Sequence, residues 1–599
     1  MSFLEDIEKA DQTKFQKLGV SSYVQLALVI PHRFEDYRVS TQLREGENQV
    51  IDATLEYISQ TPKTLQLTLF SHNLGYKIEV VFFRPKPYMM RQFIQGERYY
   101  LFGTLTCKGG RCQMNHPQKI TNIGEIVPKY KTALRTDVMQ RLIKKYLTCK
   151  ALQEEGIPEN IAQTLLALHS KSTTAHVSSE NSDTYALKFA ELYDYMKALQ
   201  KKRRYFRASE RLSGAWRDWS ESLPFTLTRE QVSTIEAIEN DFSKEVSAKR
   251  MIVGDVGSGK TMVILASALM AQPHRAILMA PTTILANQLF EEAQKFLPNI
   301  KSILITNATK KFPLKEYGFI IGTHALLYRD LPKAALVMID EQHRFGTAQR
   351  NKLDKMIRQN ETHPHVLQFS ATPIPRTQAM IDSAHIDVSL ITQTPFEKDI
   401  DSKVIGKSDF PDLLQHIKDE VAQHHQVLLV YPLVEQSEAI NYQSIEEARG
   451  YWEKNFEKVA ITHGKDREKE EVLLKFREEG DILIATTVVE VGISLPRLST
   501  VVIVGAERLG LSTLHQLRGR VSRNGLKGYC YLFSHQKSSK RLEEFVKTTN
   551  GFDIASLDLK FRQSGDLIRG DIQSGKRFVY VDMGEDEDVV RDVKKYLSS

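Results

Sequence analysis

Residues 249–261 read KRMIVGDVGSGKT. A short apolar run delivers the chain to GDVGSGKT at 254–261, which fits the pattern G-x-x-x-x-G-K-S/T. The spacing has a physical basis. A strand ends at Gly254. The small residues Gly257, Ser258 and Gly259 let backbone N–H groups close around a phosphate. Lys260 reaches the outer phosphates, and the Thr261 hydroxyl is placed to ligate Mg²⁺. The plain alternative is a glycine turn ahead of a helix. The run stands at a strand-to-helix junction, however, which a phosphate loop requires. The expected cofactors are ATP and Mg²⁺.

Outward from this loop the rhythm is strand, helix, strand, helix. The apolar strands are RMIVGD, AILMAPT (276–282), FIIGTH (319–324), ALVMID (335–340) and VLQFSAT (366–372). A second series follows: VLLVYPL (427–433), VAITHG (459–464), DILIATT (481–487), TVVIVGA (500–506) and YCYLFS (529–534). Each series is long enough for a parallel sheet covered by helices, so the fold class is α/β. The second series has no phosphate loop. Two sheets with one loop point to a single nucleotide cleft shared between two lobes.

The run ALVMIDEQHRFG (335–346) ends a buried strand with Asp340 and Glu341. A carboxylate there can hold Mg²⁺, and its neighbour can polarise the attacking water. Acids end many strands, but this pair follows the phosphate loop within one alternating domain. FTLTREQ (225–231) precedes a helix with an apolar face. Gln231 offers a donor and an acceptor for an adenine edge, and Phe225 can pack on the ring. Thr228 and Gln231 also fit an S/T-x-x-E/Q capping box, and the two roles are compatible. LHQLRGRVSR (514–523) puts Arg520 and Arg523 three apart on one helix face. Arginines from one lobe aimed at the γ-phosphate held by the other would stabilise transition-state charge. Without the first lobe, a basic surface helix would be the simpler reading.

The chain has 599 residues, enough for several domains. Its 41% hydrophobic and 26% charged content is that of a soluble globular protein. No apolar run approaches the ~20 residues of a membrane span. The charged start, MSFLEDIEKADQTKF, lacks a secretory core, so a cytoplasmic location is expected. Four cysteines (Cys107, Cys112, Cys149, Cys530) form no C-x-x-C pair and are read as reduced thiols. A net charge of +7 permits a nucleic-acid partner without requiring one.

Residues 1–45 read as helical and end in VIPHRFEDYR (29–38), where Pro31 and the charge cluster after it suggest a boundary. Between 48 and 127, TLQLTLF (64–70), YKIEVVFF (76–83) and GERYYLFGTLT (96–106) alternate apolar and polar residues. Short strands at this spacing predict a small β-barrel or sandwich, similar in size to an OB-fold. FFRPKPYMMRQF (82–93) interleaves Phe83 and Tyr88 with basic residues. Exposed, these rings could stack on bases; buried, they would be barrel core. Residues 135–212 read as helices, with 186–212 as one long amphipathic pattern carrying Lys201 to Arg204, Arg207 and Arg211 at its end. A solvated face is the simpler account of that run, and a phosphate-contacting face the sharper one.

Together these pieces resemble a superfamily 2 helicase core over 225–535. APTTILANQ (280–288) and GTHALL (322–327) resemble first-lobe loops that grip a DNA strand's backbone, with Thr282 and Thr323 as implied contacts. DEQHRFG matches the acid box. SATPIPRT (370–377) resembles the motif linking hydrolysis to strand movement, through Ser370 and Thr372. TTVVEVGISLP (486–496) and HQLRGRVSR resemble second-lobe motifs, with Gln516 in a coupling role. The whole is similar to the RecG family of branched-DNA helicases. That family carries an OB-fold wedge before the motor, and LGV…PHRFEDYR (18–38) is similar to its entry. The C-terminal tail resembles the translocation motif shared with the Mfd repair translocase, placing Arg541, Arg562 and Gln573 in KRLEEF, LKFRQSG and GDIQSG. The run FRQSGDLIRGDIQSG departs from the family's Arg-Gly-Pro-Gly type stretch.

The resemblance implies two RecA-like lobes behind an OB-fold wedge and helical linkers. The expected divisions are a helical segment at 1–47, the wedge at 48–130, a helical linker at 131–224, the ATP-binding lobe at 225–395, the second lobe at 396–540 and the translocation tail at 541–599. It also implies base stacking by Phe83 and Tyr88, a monomer acting on forks and four-way junctions, and a tie to a single-strand-binding protein. The rivals are a protein-displacing duplex translocase of Mfd type, an RNA helicase and a non-hydrolysing scaffold.

Overall fold

The computed structural model describes residues 3–61, 63–86, 89, 91–108, 110–170, 180–310, 313–341, 344–357, 362–396, 398–433, 442–464, 466, 468–487, 494–522, 525–536, 539–569 and 578–598. Of residues 4, 5, 180, 347, 350, 354, 356 and 562–569 it describes the backbone alone. The chain divides into two compact units, Met1–Tyr195 with Arg577–Val581, and Met196–Lys576 with Asp582–Ser599.

In the first unit, short helices (Phe3–Asp6, Lys9–Leu18, Tyr23–Ala27) lead to strand β1, Arg33–Asp36. The PHRFEDYR segment is therefore not the helical end expected. It is a strand, because Glu35 finds buried partners in Tyr37 and, on the opposite strand, Lys129. The barrel comprises β2 (Asn48–Gln60), β3 (Thr64–Ser71), β4 (Lys77–Phe83), β5 (Arg98–Lys108), β6 (Arg111–Asn115) and β7 (Gln118–Ile120). Its order is β2-β3-β4-β6-β5, with β5 returning to β2 and β7 outside on β5. All these pairs are antiparallel except β4–β6. This is the closed five-stranded OB-fold arrangement, which leaves no open edge. Alternation does the sorting: Leu65, Leu67 and Leu69 of β3 enter the core and the residues between them face out. β8 (Ile126–Lys129) then pairs antiparallel with β1.

One expectation fails here. Cys107 and Cys112 are not free thiols; they are joined by a disulfide. They face each other directly across the β5–β6 hairpin, with Cα atoms 4.1 Å apart. The pairing follows from strand register, which cysteine spacing alone does not reveal. Cys149 and Cys530 are free.

Helices Thr136–Tyr146, Cys149–Glu154 and Glu159–His169 follow. One long helix, Glu180–Lys202, comes next. It ends ten residues short of the expected 212. Arg203 leaves to pair with Asp387 at 2.6 Å, Phe206 stacks on His363, and β9 (Arg207–Ala208) takes up parallel pairing with a later strand. The basic run is thus partly absorbed in ion pairs, Arg211 with Glu245 included.

The second unit holds two parallel sheets. The first lobe has β10 (Lys249–Gly254), β11 (Ala276–Met279), β12 (Ser302–Ile305), β13 (Phe319–Gly322), β14 (Leu336–Asp340), β16 (His365–Ser370) and β17 (Asp387–Ile391), while β15 (Thr362–His363) is the partner of β9. The order is β12-β13-β11-β14-β16-β10-β17. Both faces are buried: Leu278 packs with Ile252 and Phe369 on one side, and Ile277 and Met279 with Ile339 on the other. That is why these strands read as continuous apolar runs. The second lobe is β18 (Ile400–Ile405), β19 (Gln426–Val430), β20 (Val459–Thr462), β21 (Ile482–Ala485), β22 (Leu498–Val504) and β23 (Gly528–Phe533), ordered β18-β23-β22-β19-β21-β20. Strands β12, β17 and β18 escape the sequence reading. In β17 (DVSLI) and β18 (IDSKVI) polar residues interrupt the apolar run. Among the described residues no helix is long and apolar enough to cross a membrane.

Candidate functional site

β10 lies between β16 and β17, and the chain leaves its C-terminal end into the phosphate loop. Gly257 and Gly259 adopt left-handed backbone, φ 82° and 74°, which aims successive amides into one concavity. Neighbouring side chains fill the space beside Gly254 and Gly259. A Cβ on Gly254 would lie 2.4 Å from Ser258 Oγ, and one on Gly259 would lie 2.3 Å from Gln231 Nε2. Lys260 opens the helix Lys260–Met270. Its Nζ donates to the carbonyls of Gly254 (2.7 Å) and Asp255 (3.1 Å). Burial pushes its pKa down against the pull of Glu341, Asp340 and Asp255.

Asp340 ends β14, two strands from β10. Burial and the adjacent Glu341 push its carboxyl up, with Lys260 opposing. Glu341 has left-handed backbone, φ 51°, a strained conformation for a non-glycine residue. It is held by its N–H to Phe369 O (2.8 Å) and by the Ala371 amide on its Oε1 (2.6 Å). Two adjacent buried acids lie within the electrostatic reach of Lys260, and a divalent cation fits beside them. Among the described residues no cluster of three or more His, Cys, Asp or Glu would hold a metal alone. The donor set, Thr261 with Asp340, instead suits Mg²⁺ held jointly with phosphate oxygens.

These groups line one cleft of about 890 Å³ with Arg520 and Gln516 of the second lobe. Arg520 is only 8% exposed. Gln516 donates to Thr372 Oγ1 (2.8 Å) and accepts from Arg344 (3.3 Å). Thr372 N in turn donates to Ser370 Oγ (3.2 Å). The acid box, the SAT turn and the arginine helix thus form one hydrogen-bonded chain across the lobes. Arg541 donates to Glu507 O (2.6 Å), just before the helix Leu511–Arg518. Arg523, Tyr88 and Gln573 lie outside the described residues, as does the side chain of Arg562.

The capping box at Thr228 and Gln231 forms. Gln231 is buried, with Oε1 on Thr228 N (2.8 Å) and Nε2 on Ser258 O (2.8 Å). Its amide therefore holds the phosphate loop, and an adenine edge would have to share it. Phe225 lines the cleft at 44% exposure. Phe396, at 45%, lines it too, and sequence reading missed it. Its signal was an aromatic beside Pro395 in the segment joining the two sheets. Lys398, also missed, donates to Val256 O at 2.7 Å.

Thr282 caps the helix Thr283–Phe296, accepting from Leu285 N. Thr323 is buried and caps the short turn His324–Tyr328. Its side chain supports the loop from beneath. In the barrel, Phe82 enters the core and Phe83, ending β4, is 50% exposed. Phe83 N donates to His116 Nε2 (3.1 Å), and the two rings lie 5.6 Å apart. The choice between core and surface is settled for Phe83: it is on the surface.

Residues 228–381 match the DEAD/DEAH box helicase family, and 409–525 match the helicase conserved C-terminal domain. The chain is 42% identical over 602 residues to the ATP-dependent DNA helicase RecG of Helicobacter pylori strain 26695, covering 96% of each protein. It is 33% identical to the RecG of Streptococcus pneumoniae, covering 98% of this chain and 94% of that one. Among solved structures it resembles a RecG bound to a three-way DNA junction, with a TM-score of 0.56 at 26% identity, over 99% of this chain and 84% of that one. With so nearly complete a span and this cleft at its centre, the chain belongs to the RecG family of ATP-dependent DNA helicases.

Proposed function

We propose that this helicase works on branched DNA, separating the arms of forks and of three- and four-way junctions and re-pairing the parental strands. The observation that carries the reading is the pairing, in one chain, of a two-lobe nucleotide cleft with a closed barrel that exposes Phe83 beside His116. The junction-bound RecG supports it by likeness.

Bound Mg·ATP supplies the phosphoryl group transferred to water and a cation that offsets its charge. Lys260 holds the outer phosphates, with the loop amides around them. Thr261 and Asp340 hold the cation. Glu341, fixed by the Ala371 amide, would orient the attacking water and accept its proton. Arg520, with Arg523, neutralises charge developing at the γ-phosphate. Because Arg520 belongs to the other lobe, hydrolysis requires the lobes to meet. Gln516, Thr372 and Ser370 report that meeting to the strand-gripping loops at Thr282 and Thr323, while Arg541, Arg562 and Gln573 couple it to duplex movement. Phe83 and Tyr88 stack on bases at the branch point. The protein acts as a cytoplasmic monomer and meets a single-strand-binding protein at the fork.

The test is strand separation of a synthetic four-way junction with Mg·ATP. ATP-dependent separation is expected. Hydrolysis on linear duplex with no junction separation, across a range of salt, would replace this reading with that of a protein-displacing translocase.

A further inference from the structure

The phosphate loop carries a second set of buried charges, apart from those lining the cleft. Asp255 follows Gly254 but does not line the nucleotide cleft. Its Oδ1 accepts from His515 Nε2 at 2.6 Å and from Val256 N at 2.6 Å, and its Oδ2 accepts from Gly551 N at 2.9 Å. On the other side of the ring, Arg518 Nη2 meets His515 Nδ1 at 3.1 Å. A guanidinium can only donate, so Nδ1 accepts and the ring proton sits on Nε2, donating to Asp255. Burial holds the imidazole below its ordinary pKa against the pull of Asp255, in keeping with a neutral ring. The result is a carboxylate, a neutral imidazole and a guanidinium in line, all buried.

Both ends of this line are tied to the C-terminal segment. Arg518 also donates to Phe545 O (3.1 Å) and Thr548 O (2.8 Å), where the helix Lys540–Lys547 ends. Gly551 begins the helix Gly551–Arg569, so the Asp255 carboxylate sits at that helix's N-terminus, where negative charge is favoured. Two glycines permit the approach. A Cβ on Gly551 would fall 2.6–2.7 Å from the Asp255 carboxylate, and one on Gly519 would fall 2.8–2.9 Å from the Val256 side chain. The Asp255 backbone belongs to the loop's own framework, since its carbonyl accepts from Lys260 Nζ and from Ser258 N. A loop that rearranges around a phosphate therefore moves this carboxylate. Leaving either buried charge unpaired would be costly, so the line shifts as a unit.

We propose that Asp255, His515 and Arg518, closed by the Gly551 amide, form a relay through which the phosphate loop positions the helix Gly551–Arg569. Its residues are positioning residues: they touch no nucleotide, and they make movement of the C-terminal segment conditional on the loop. The inference rests on the DNA-motor reading above.

The test uses the full chain and its His515→Phe, His515→Gln and Gly551→Ala variants. DNA-free ATP hydrolysis and junctions separated per ATP hydrolysed are measured on a synthetic three-way junction. His515→Phe and Gly551→Ala are expected to hold DNA-free hydrolysis within about twofold and to cut separation per ATP by about tenfold. His515→Gln, whose amide can donate to Asp255 and accept from Arg518, is expected to restore it to within about threefold. Unchanged separation per ATP in His515→Phe overturns the relay. So does an equal fall of hydrolysis and separation in all variants, which marks mere lobe packing. If His515→Phe does not fold, Gly551→Ala decides by the same two readings. A native chain that hydrolyses ATP but never separates a junction counts against the motor reading. It counts against the relay as well if His515→Phe leaves the junction's stimulation of hydrolysis unchanged.

Discussion

The nucleotide cleft and the barrel tip solve opposite problems. In the cleft, Asp340, Glu341 and Arg520 are each 8% exposed, and the Ala371 amide holds Glu341. At the tip, Phe83 is 50% exposed and lies against His116. Buried charges are costly, and they persist where fixed dipoles must meet charge that develops during reaction. An exposed ring costs little and offers a flat face to any base. The difference teaches that the two regions should fail separately: one should lose turnover and the other should lose only what turnover achieves.

Arg520→Gln gives the largest expected effect. A guanidinium stabilising a transferring phosphoryl group is worth about a thousandfold in turnover, and the variant should still bind ATP. A loss of less than tenfold in steady-state hydrolysis would remove Arg520 from the chemistry. Glu341→Gln should follow, with turnover falling about a hundredfold or more and ATP binding intact. The amide keeps the shape and the Ala371 contact, so a normal rate would show that the carboxylate does not act on water. Phe83→Ala should leave ATP hydrolysis at its native rate and slow junction separation about tenfold. Its melting temperature should fall only slightly, since half of the residue is already exposed. A parallel drop in hydrolysis would erase the distinction between tip and cleft.

Much of the motor could be read from the sequence because its chemistry is local. GDVGSGKT needs its glycines within one turn, and a buried parallel strand needs an unbroken apolar run, so both leave contiguous marks. Gln516 meeting Thr372 is less local: resemblance suggested a coupling role for each residue and not their contact. What escaped reading was set by register and by distance along the chain. Cys107 and Cys112 pair because a hairpin puts them opposite each other. The helix at 180 stops at Lys202 because Asp387, far downstream, takes Arg203. Asp255 stood within the quoted loop, but its partners His515 and Gly551 lie 260 and 296 residues away. Glu35 belongs to the charge cluster after Pro31, and one of its ion-pair partners, Lys129, comes from a strand far along the chain.

Phe225 and Phe396 test the comparison from inside, and theirs is the smallest effect. Like Phe83 they are half-exposed rings, yet they line the cleft. If exposure marks recognition wherever it occurs, these two should act on binding and leave chemistry alone. Gln231 strengthens the case. Its amide is already bound to Thr228 and to the phosphate loop, so the base must find much of its affinity elsewhere. A ring face is the available source. Phe225→Ala and Phe396→Ala should each raise KM for ATP about fivefold and leave kcat unchanged, the worth of one aromatic contact. The pattern should extend to other nucleoside triphosphates, because stacking favours any base. If kcat fell while KM held, the rings would be setting the geometry of the phosphate loop, and exposure would no longer separate recognition from catalysis in this molecule.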